Sequence, residues 1–258
     1  MSIRFGVCTS FDKIPVLISA GYDYLEFGLK KLVNMSDAEF EAALETVKKY
    51  NFYAESFNTF FPAEIAMVGE KVDFNVISEY CEKGLKRAAA LGGKIAVIGS
   101  GKSRKIPEDF DRNTAYNQFL KVLGIAGSIA EKYEMLIVVE PLYRGETNFI
   151  NTVDEGLEIS KAANRENVKS LADLYHLYMN GESLDTIINE GKSLAHLHLA
   201  RPNPDRDMPY EEDIPTVNEW AKAVKQSGYS GRLSLEGGFN PTFEEAIIRT
   251  KRIIEAFK

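Results

Sequence analysis

Length, composition and charge limit the classes of protein to which this chain can belong. Its 258 residues suffice for one domain with a full core, and 45% hydrophobic with 27% charged residues is unlike a disordered or fibrous chain. A net charge of −7 and a pI near 5.2 argue against nucleic acid and anionic membranes as partners. Without a long apolar signal stretch or a run of about 20 apolar residues, a cytoplasmic protein is expected.

Short apolar segments typical of β-strands recur along the whole chain. In the first half they cover residues 4–8, 24–27, 52–57 and 94–98, and in the second half they start at Leu136, Val168, Leu194 and Leu233. Segments with helical periodicity separate them. Three of these helices are predicted to begin with capping boxes, at Ser36, Thr152 and Thr242.

This alternation predicts the fold. Strands that alternate with helices form parallel sheets through right-handed crossovers. Eight such units in a chain of about 250 residues favour closure into a (β/α)₈ barrel, the TIM barrel, over an open doubly wound sheet. The sequence contains no linker, low-complexity tract or break in composition. Residues 1–258 are therefore predicted to form a single α/β TIM-barrel domain.

The last four predicted strands share a feature at their C-terminal ends. Each apolar run there closes with a residue that binds metal ions well, namely Glu140, Asp173, His198 and Glu236. An unpaired charge at the end of a buried strand is costly, so four such ends need one explanation. Because the C-terminal strand ends of a barrel all face one mouth, these side chains are expected to converge on one divalent cation.

The types of donor restrict the metal. Three carboxylates and one imidazole suit Mn²⁺, which is favoured here, and also Co²⁺, Mg²⁺ or a catalytic Zn²⁺ with positions left for substrate oxygens. No cysteine lies in these segments, which excludes a structural zinc site of the cysteine type. His196 faces the same way as His198, because alternate residues of a strand share a face, and is expected one layer deeper in the barrel.

The same segments resemble the ketose 3-epimerases, meaning D-tagatose and D-psicose 3-epimerases, of the xylose isomerase-like (AP endonuclease family 2-like) TIM barrels. Their fifth-strand signature is similar to the run that begins Glu140-Pro-Leu-Tyr, and their Asp-x-x-His motif to Asp173-Leu-Tyr-His176. His196-Leu-His198 is similar to their His-x-His motif, and Glu236 to their strand-eight glutamate.

The resemblance implies roles for individual residues. It implies that Glu140, Asp173, His198 and Glu236 bind the metal ion and that the two glutamates also transfer the proton. It further implies that Glu146, His176 and Arg206 bind the substrate oxygens. Two departures from the family concern the substrate more than the chemistry. Arg206 lies further from the strand-seven histidine than the family arginine does, and strand eight continues with Gly237 and Gly238, where many relatives have bulkier side chains.

The predicted function is a divalent-metal-dependent sugar or sugar phosphate isomerase or epimerase. A cation would stabilise an enediolate formed beside a ketose carbonyl, while Glu140 and Glu236 exchange protons on opposite faces of the substrate. A dehydratase of the inosose or 3-dehydroshikimate type is the alternative, since its first step is the same. A DNA-repair AP endonuclease is excluded, because the chain has no histidine before His176.

The expected partner is a small carbohydrate, and a homo-oligomer is compatible with the sequence. Several basic residues lie in loops predicted at the barrel mouth: Lys102, Arg104, Lys105, Arg144, Arg201 and Arg206. They are interpreted as solvated loop charges, with an anionic substrate as the alternative. The segment from Asn58 to Val72 is interpreted either as an aromatic lid that keeps water out or as a surface hydrophobic cluster.

Overall fold

Eight parallel β-strands form a closed barrel in the computed structural model, which describes residues 3–258. Each strand pairs with its neighbours in the sequence, and the first strand closes the ring on the last. The strands are β1 (Arg4–Cys8), β2 (Tyr24–Gly28), β3 (Ala54–Asn58), β4 (Ile95–Ile98), β5 (Leu136–Val139), β6 (Val168–Asp173), β7 (Leu194–Leu199) and β8 (Arg232–Leu235). The predicted α/β TIM barrel is confirmed, with every strand at a predicted apolar segment.

Helices connect the strands and surround the barrel. They are α1 (Ile14–Ser19), α2 (Leu29–Asn34), α3 (Asp37–Tyr50), α4 (Phe74–Ala90), α5 (Gly101–Arg104), α6 (Arg112–Glu131), α7 (Val153–Ala162), α8 (Leu174–Asn180), α9 (Asp185–Glu190), α10 (Ile214–Ser227) and α11 (Phe243–Ile254). The predicted capping boxes of α3 and α7 form with both reciprocal bonds, at Ser36 and Thr152. At α11, Thr242 accepts from the amide of Glu245, but the return bond to its own amide is absent.

The interior of the barrel is apolar on one side and polar on the other. Ile95, Val97, Val138 and Leu171 from β4, β5 and β6 form a small apolar cluster, separate from the larger core between strands and helices. The opposite side contains buried polar groups, where the Tyr24 hydroxyl lies 2.8 Å from the Ser234 hydroxyl. Polar side chains can therefore lie deep inside the barrel, because partners for their hydrogen bonds are present there.

Within residues 3–258, each helix is either shorter or more polar than a bilayer crossing demands.

Candidate metal and substrate site

Glu140, Asp173, His198 and Glu236 come together at the C-terminal mouth of the barrel. Asp173 and His198 lie in β6 and β7, whereas Glu140 and Glu236 directly follow β5 and β8. One donor atom from each residue lies within 4.8 Å of the donor atoms of the other three. Three carboxylates and one imidazole at this spacing fit the hard or borderline divalent cations, which take oxygen and nitrogen ligands. The structure thus brings together all four residues that the sequence predicted as ligands.

His198 contacts carboxylates through both of its ring nitrogens. Nδ1 lies 3.0 Å from Glu140 Oε1 and 3.0 Å from Glu236 Oε2, so it is the nitrogen that faces the donor cluster. Nε2 lies 3.0 Å from Glu26 Oε1 on the other side of the ring. Burial lowers the pKa of His198, but the neighbouring charges of Glu26 and Glu236 outweigh burial and hold this pKa well above its usual value.

The pKa values of the two glutamates in the cluster are shifted in opposite directions. Burial raises the pKa of Glu140 to about 7, and the negative charge of Glu236 acts in the same direction. Burial also acts to raise the pKa of Glu236, but the charges of His198 and Arg206 outweigh it and bring this pKa to about 2. The surroundings thus shift the pKa values of two neighbouring carboxyl groups apart, a pattern that is found in acid–base pairs.

Glu26 is a functional candidate that the sequence analysis missed. It lies fully buried in β2, and its carboxylate accepts from both histidines of β7, with His196 Nε2 3.0 Å from Oε2. Burial acts to raise the pKa of Glu26, but the charges of His198 and His196 outweigh it and hold the pKa well below its usual value. His196 lies one layer deeper, as expected, and its Nδ1 is 3.1 Å from the carbonyl oxygen of Arg232.

The sequence contained a signal for Glu26. Between Tyr24 and Phe27 a single carboxylate interrupts an otherwise apolar strand, just as the four predicted ligands are charged or polar residues that close apolar strands. Asn58, at the end of β3, is a second missed residue, and its Nδ2 donates to Glu236 Oε1 at 2.5 Å. An asparagine at a strand end is common in loops, so the sequence offered no comparable signal for Asn58.

Arg206 extends into the carboxylate cluster. Its Nη2 lies 2.7 Å from Asp173 Oδ2 and 2.9 Å from Glu236 Oε2, and Nη1 lies 3.7 Å from Glu146 Oε1. The guanidinium also covers the ring of Tyr175, 4.9 Å from its centroid. Arg206 and Glu146, both predicted to bind substrate, are therefore close to each other and to two of the predicted metal ligands.

His176, the third residue predicted to bind substrate, lies behind Asp173. Its Nε2 is 3.5 Å from Asp173 Oδ2, and its ring stacks on that of Tyr143 with a centroid distance of 5.6 Å. Both ring nitrogens are buried without a hydrogen-bond partner among residues 3–258. Burial lowers the pKa of His176 to about 4, so the imidazole is neutral at physiological pH.

A cavity of about 450 Å³ opens from this cluster towards solvent. Its lining includes Glu140, Glu146, Arg206 and Glu236, together with Lys30, Thr59, Phe61 and Lys102. Phe60 and Phe61 are both buried and pack on each other with a centroid distance of 4.6 Å. The interpretation of this segment as a surface cluster is therefore wrong, and Phe61 is part of the cavity wall.

Two of the basic residues have structural roles. Arg201 is buried and forms ion pairs with Asp205, Glu212 and Asp213 at 3.0 to 3.1 Å. Arg104 is fully buried and donates to the main-chain carbonyls of Ile98 at 3.3 Å and Ile150 at 3.1 Å. For Arg104 both the solvated and the anion-binding interpretations are wrong, because its guanidinium is fully buried and donates to main-chain carbonyls. Lys102 does line the cavity.

Comparison with known proteins agrees with the fold and with the predicted family. The sequence profile described as "Xylose isomerase-like TIM barrel" matches residues 15–253. Because this match covers most of the sequence, the chain belongs to the xylose isomerase-like TIM barrel family.

The curated relatives include two D-psicose 3-epimerases. The enzyme of Agrobacterium fabrum is 24% identical over 250 residues, which cover 91% of this chain and 80% of the relative. The enzyme of Ruminiclostridium cellulolyticum is 29% identical over 157 residues, 59% of this chain and 52% of the relative, so that match spans about half of the relative's length.

A solved structure supports the fold over the whole chain. D-psicose 3-epimerase from Clostridium cellulolyticum H10, crystallised with D-tagatose, superimposes with a TM-score of 0.82 at 18% identity. The superposition covers 99% of this chain and 98% of that one. At this identity the likeness establishes a shared fold.

Proposed function

We propose that this protein is a divalent-metal-dependent epimerase or isomerase of sugars or sugar phosphates, of the ketose 3-epimerase type. One observation carries the proposal: four side chains of types that bind metal ions, from the ends of four consecutive strands, have donor atoms within 4.8 Å of one another, and two of them line a cavity. The D-psicose 3-epimerases among the relatives support the substrate class. Because those relatives are distant, the individual sugar is left to experiment.

Glu140, Asp173, His198 and Glu236 would hold the metal ion, with Mn²⁺ favoured. When bound, the ion would stabilise negative charge on the oxygens of a ketose as a proton leaves the neighbouring carbon. Glu140 and Glu146 line the cavity with Arg206 and Glu236, so a substrate there would meet both acid–base glutamates and the arginine.

Glu140 and Glu236 would exchange the protons. They follow β5 and β8, three strands apart in the ring, so they approach a substrate from different sides. One of them would take a proton from the carbon beside the carbonyl, and the other would return one on the opposite face. In the reverse reaction the roles would exchange. Transfer from opposite faces inverts the carbon, which makes the reaction an epimerisation.

Arg206, Glu146 and His176 would hold the substrate oxygens. The guanidinium donates to oxygens, the neutral imidazole has both nitrogens free of protein partners, and Glu146 lies 3.7 Å from Arg206. Phe61 would help to keep water away from the enediolate. Lys102 and Lys30, which line the same cavity, would bind a phosphate or carboxylate group on the substrate.

Isotope exchange tests the proposed function. Keto-sugars, sugar phosphates and keto-cyclitols are incubated with enzyme and Mn²⁺ in D₂O, and the carbon-bound protons are followed by NMR. Inversion with deuterium at C3 of a ketose is expected, and Glu140→Gln and Glu236→Gln should each abolish it. Loss of water to form an enone would identify a dehydratase instead, and no exchange in any compound would refute the proposal.

A further inference from the structure

We propose that Gly237 and Gly238 are positioning residues: their missing side chains let the segment after β7 lie against the end of β8 and place Arg206 in the site. The placement of Arg206 is a matter of geometry, whereas its effect on catalysis rests on the proposed function.

Backbone hydrogen bonds join the segment after β7 to the segment after β8. The amide of Gly238 donates to the carbonyl of Arg206 at 2.8 Å, and the amide of Met208 donates to the carbonyl of Gly238 at 2.8 Å. Asp207 and Gly238 thereby form a parallel bridge that continues the pairing of β7 with β8. The amide of Arg201 donates to the carbonyl of Asp207 at 2.9 Å, which holds the start of the segment. These hydrogen bonds hold the backbone of the loop at Arg206 and at the two residues that follow it.

The two glycines provide the space for this contact in different ways. A Cβ added to Gly237 would lie 2.5 Å from the carbonyl oxygen of Arg206 and 2.9 Å from the carbonyl carbon and oxygen of Asp207, which are backbone atoms. A Cβ added to Gly238 would overlap the carboxylate of Asp207, the end of a side chain that can rotate away. Substitution of Gly237 must therefore displace the backbone of the loop. Substitution of Gly238 must displace the side chain of Asp207 but need not move the backbone.

Arg206 itself has a left-handed backbone, with φ of 51°. A side-chain-bearing residue keeps this conformation only where its surroundings hold it, and here the amide of Arg206 also donates to the carbonyl of Asn203 at 3.0 Å. Neither Gly237 nor Gly238 has a positive φ. Their contribution is therefore room for the neighbouring backbone and not conformational freedom.

A small displacement of this loop would separate the guanidinium from its partners. Hydrogen bonds of 2.7 Å to Asp173 and 2.9 Å to Glu236 are lost when the atoms move apart by about an ångström. A misplacement of this size in a group that orients substrate lowers the rate by roughly 10- to 100-fold.

Kinetic comparison of four variants with the wild type tests the proposal on whichever sugar the exchange screen identifies. Gly237→Ala is expected to lower kcat/KM by roughly 10- to 100-fold, about as much as Arg206→Ala, and the double variant should be little worse than either single one. Gly124→Ala is the control, because a Cβ at Gly124 on α6 meets no atom within 4 Å, and it should leave kcat/KM unchanged. Losses that multiply in the double variant would overturn the proposal.

A rescue experiment distinguishes overlap with a side chain from general misfolding as the cause of a loss. Gly238→Ala is expected to cost less than Gly237→Ala, and in an Asp207→Ala background it should cost nothing further, because the overlapping carboxylate is gone. If Gly238→Ala is as harmful in that background as in the wild type, side-chain overlap is not its cause and the proposal fails.

Urea unfolding provides a readout that does not depend on activity. Arg206→Ala should lower the midpoint of unfolding in the wild type, since it removes the positive charge that pairs with Asp173 and Glu236. In the Gly237→Ala background the same substitution should lower the midpoint by less than half as much. Equal shifts in both backgrounds would overturn the positioning role. If no sugar reacts, the proposed function fails while this comparison still decides where Arg206 lies.

Discussion

At the scale of single residues, the site depends on how the ring of His198 is held. The carboxylate of Glu26 is ionised, because its pKa is held well below the usual value, and it accepts a hydrogen bond from His198 Nε2. That bond holds the ring so that Nδ1 faces Glu140 and Glu236, where a bound cation would displace the Nδ1 proton and take its lone pair. A carboxylate that bonds to a metal-ligating histidine fixes the tautomer and orientation of its ring, and replacing that carboxylate commonly weakens metal binding.

Glu26→Gln is therefore expected to weaken Mn²⁺ binding by roughly 10- to 100-fold, because an amide neither fixes the tautomer nor strengthens the imidazole as a donor. Competition with a fluorescent chelator measures the affinity. Glu55→Gln is the matched control, since Glu55 is a carboxylate in the adjacent strand that pairs with Arg232 and Arg4 away from the cluster. That variant should lose stability and keep its Mn²⁺ affinity; equal affinities for both variants would contradict the role of Glu26.

The limits of sequence reasoning are visible at these same residues. Glu140, Asp173, His198 and Glu236 could be found because each closes an apolar run, and the barrel then requires that they converge. Glu26 shows the same signal within one strand but has no motif around it. Arg206 could be named only through a family resemblance, because its position depends on a loop whose course is set by Gly237 and Gly238.

At the scale of elements, Arg104 connects the turns that follow β4 and β5. It lies in the short helix α5, yet its guanidinium donates to Ile98 at the end of β4 and to Ile150 beyond the β5 loop. The amide of Glu140 donates to the same Ile98 carbonyl at 3.1 Å. One buried cation therefore fixes the main chain around Glu140 and the loop that carries Glu146. Periodicity located the strands, but a link between two loops has no periodic pattern to reveal it.

Arg104→Met is expected to cost about 2 to 3 kcal/mol of unfolding free energy, because two buried carbonyls lose a charged donor. It should also lower kcat/KM, since the loop of Glu146 loses its anchor. Arg87→Met is the control: Arg87 donates to the carbonyls of Leu32 and Met35, away from the site. Urea unfolding and kinetics on the same samples separate the effects. A similar loss of stability in both variants with unchanged kcat/KM in each would show that Arg104 does not support the site.

At the scale of the whole molecule, closure of the barrel converts separate strand ends into one site. The donors come from β5 to β8, and Glu26 from β2 reaches them across the interior, beside the buried polar side. Eight apolar segments in the sequence were enough to predict this ring, because parallel strands with helical crossovers have few other ways to cover both faces. The shape of the cavity was not predictable, since residues 59, 61–64, 100–103 and 206, which line it, lie outside the strands that the apolar segments located.

Because the four proposed ligands come from the ends of four strands, a bound cation should stabilise the fold as a whole. Mn²⁺ at 100 times its dissociation constant adds about 2.7 kcal/mol if it binds only the folded chain, which raises Tm by roughly 5 to 10 °C for a protein of this size. Thermal unfolding with Mn²⁺ and with EDTA measures the difference. Asp173→Asn should abolish the shift, whereas Asp213→Asn, which removes a buried carboxylate paired with Arg201, should lower Tm and retain it. An unchanged Tm in the wild type would mean that the converging side chains do not bind a metal ion.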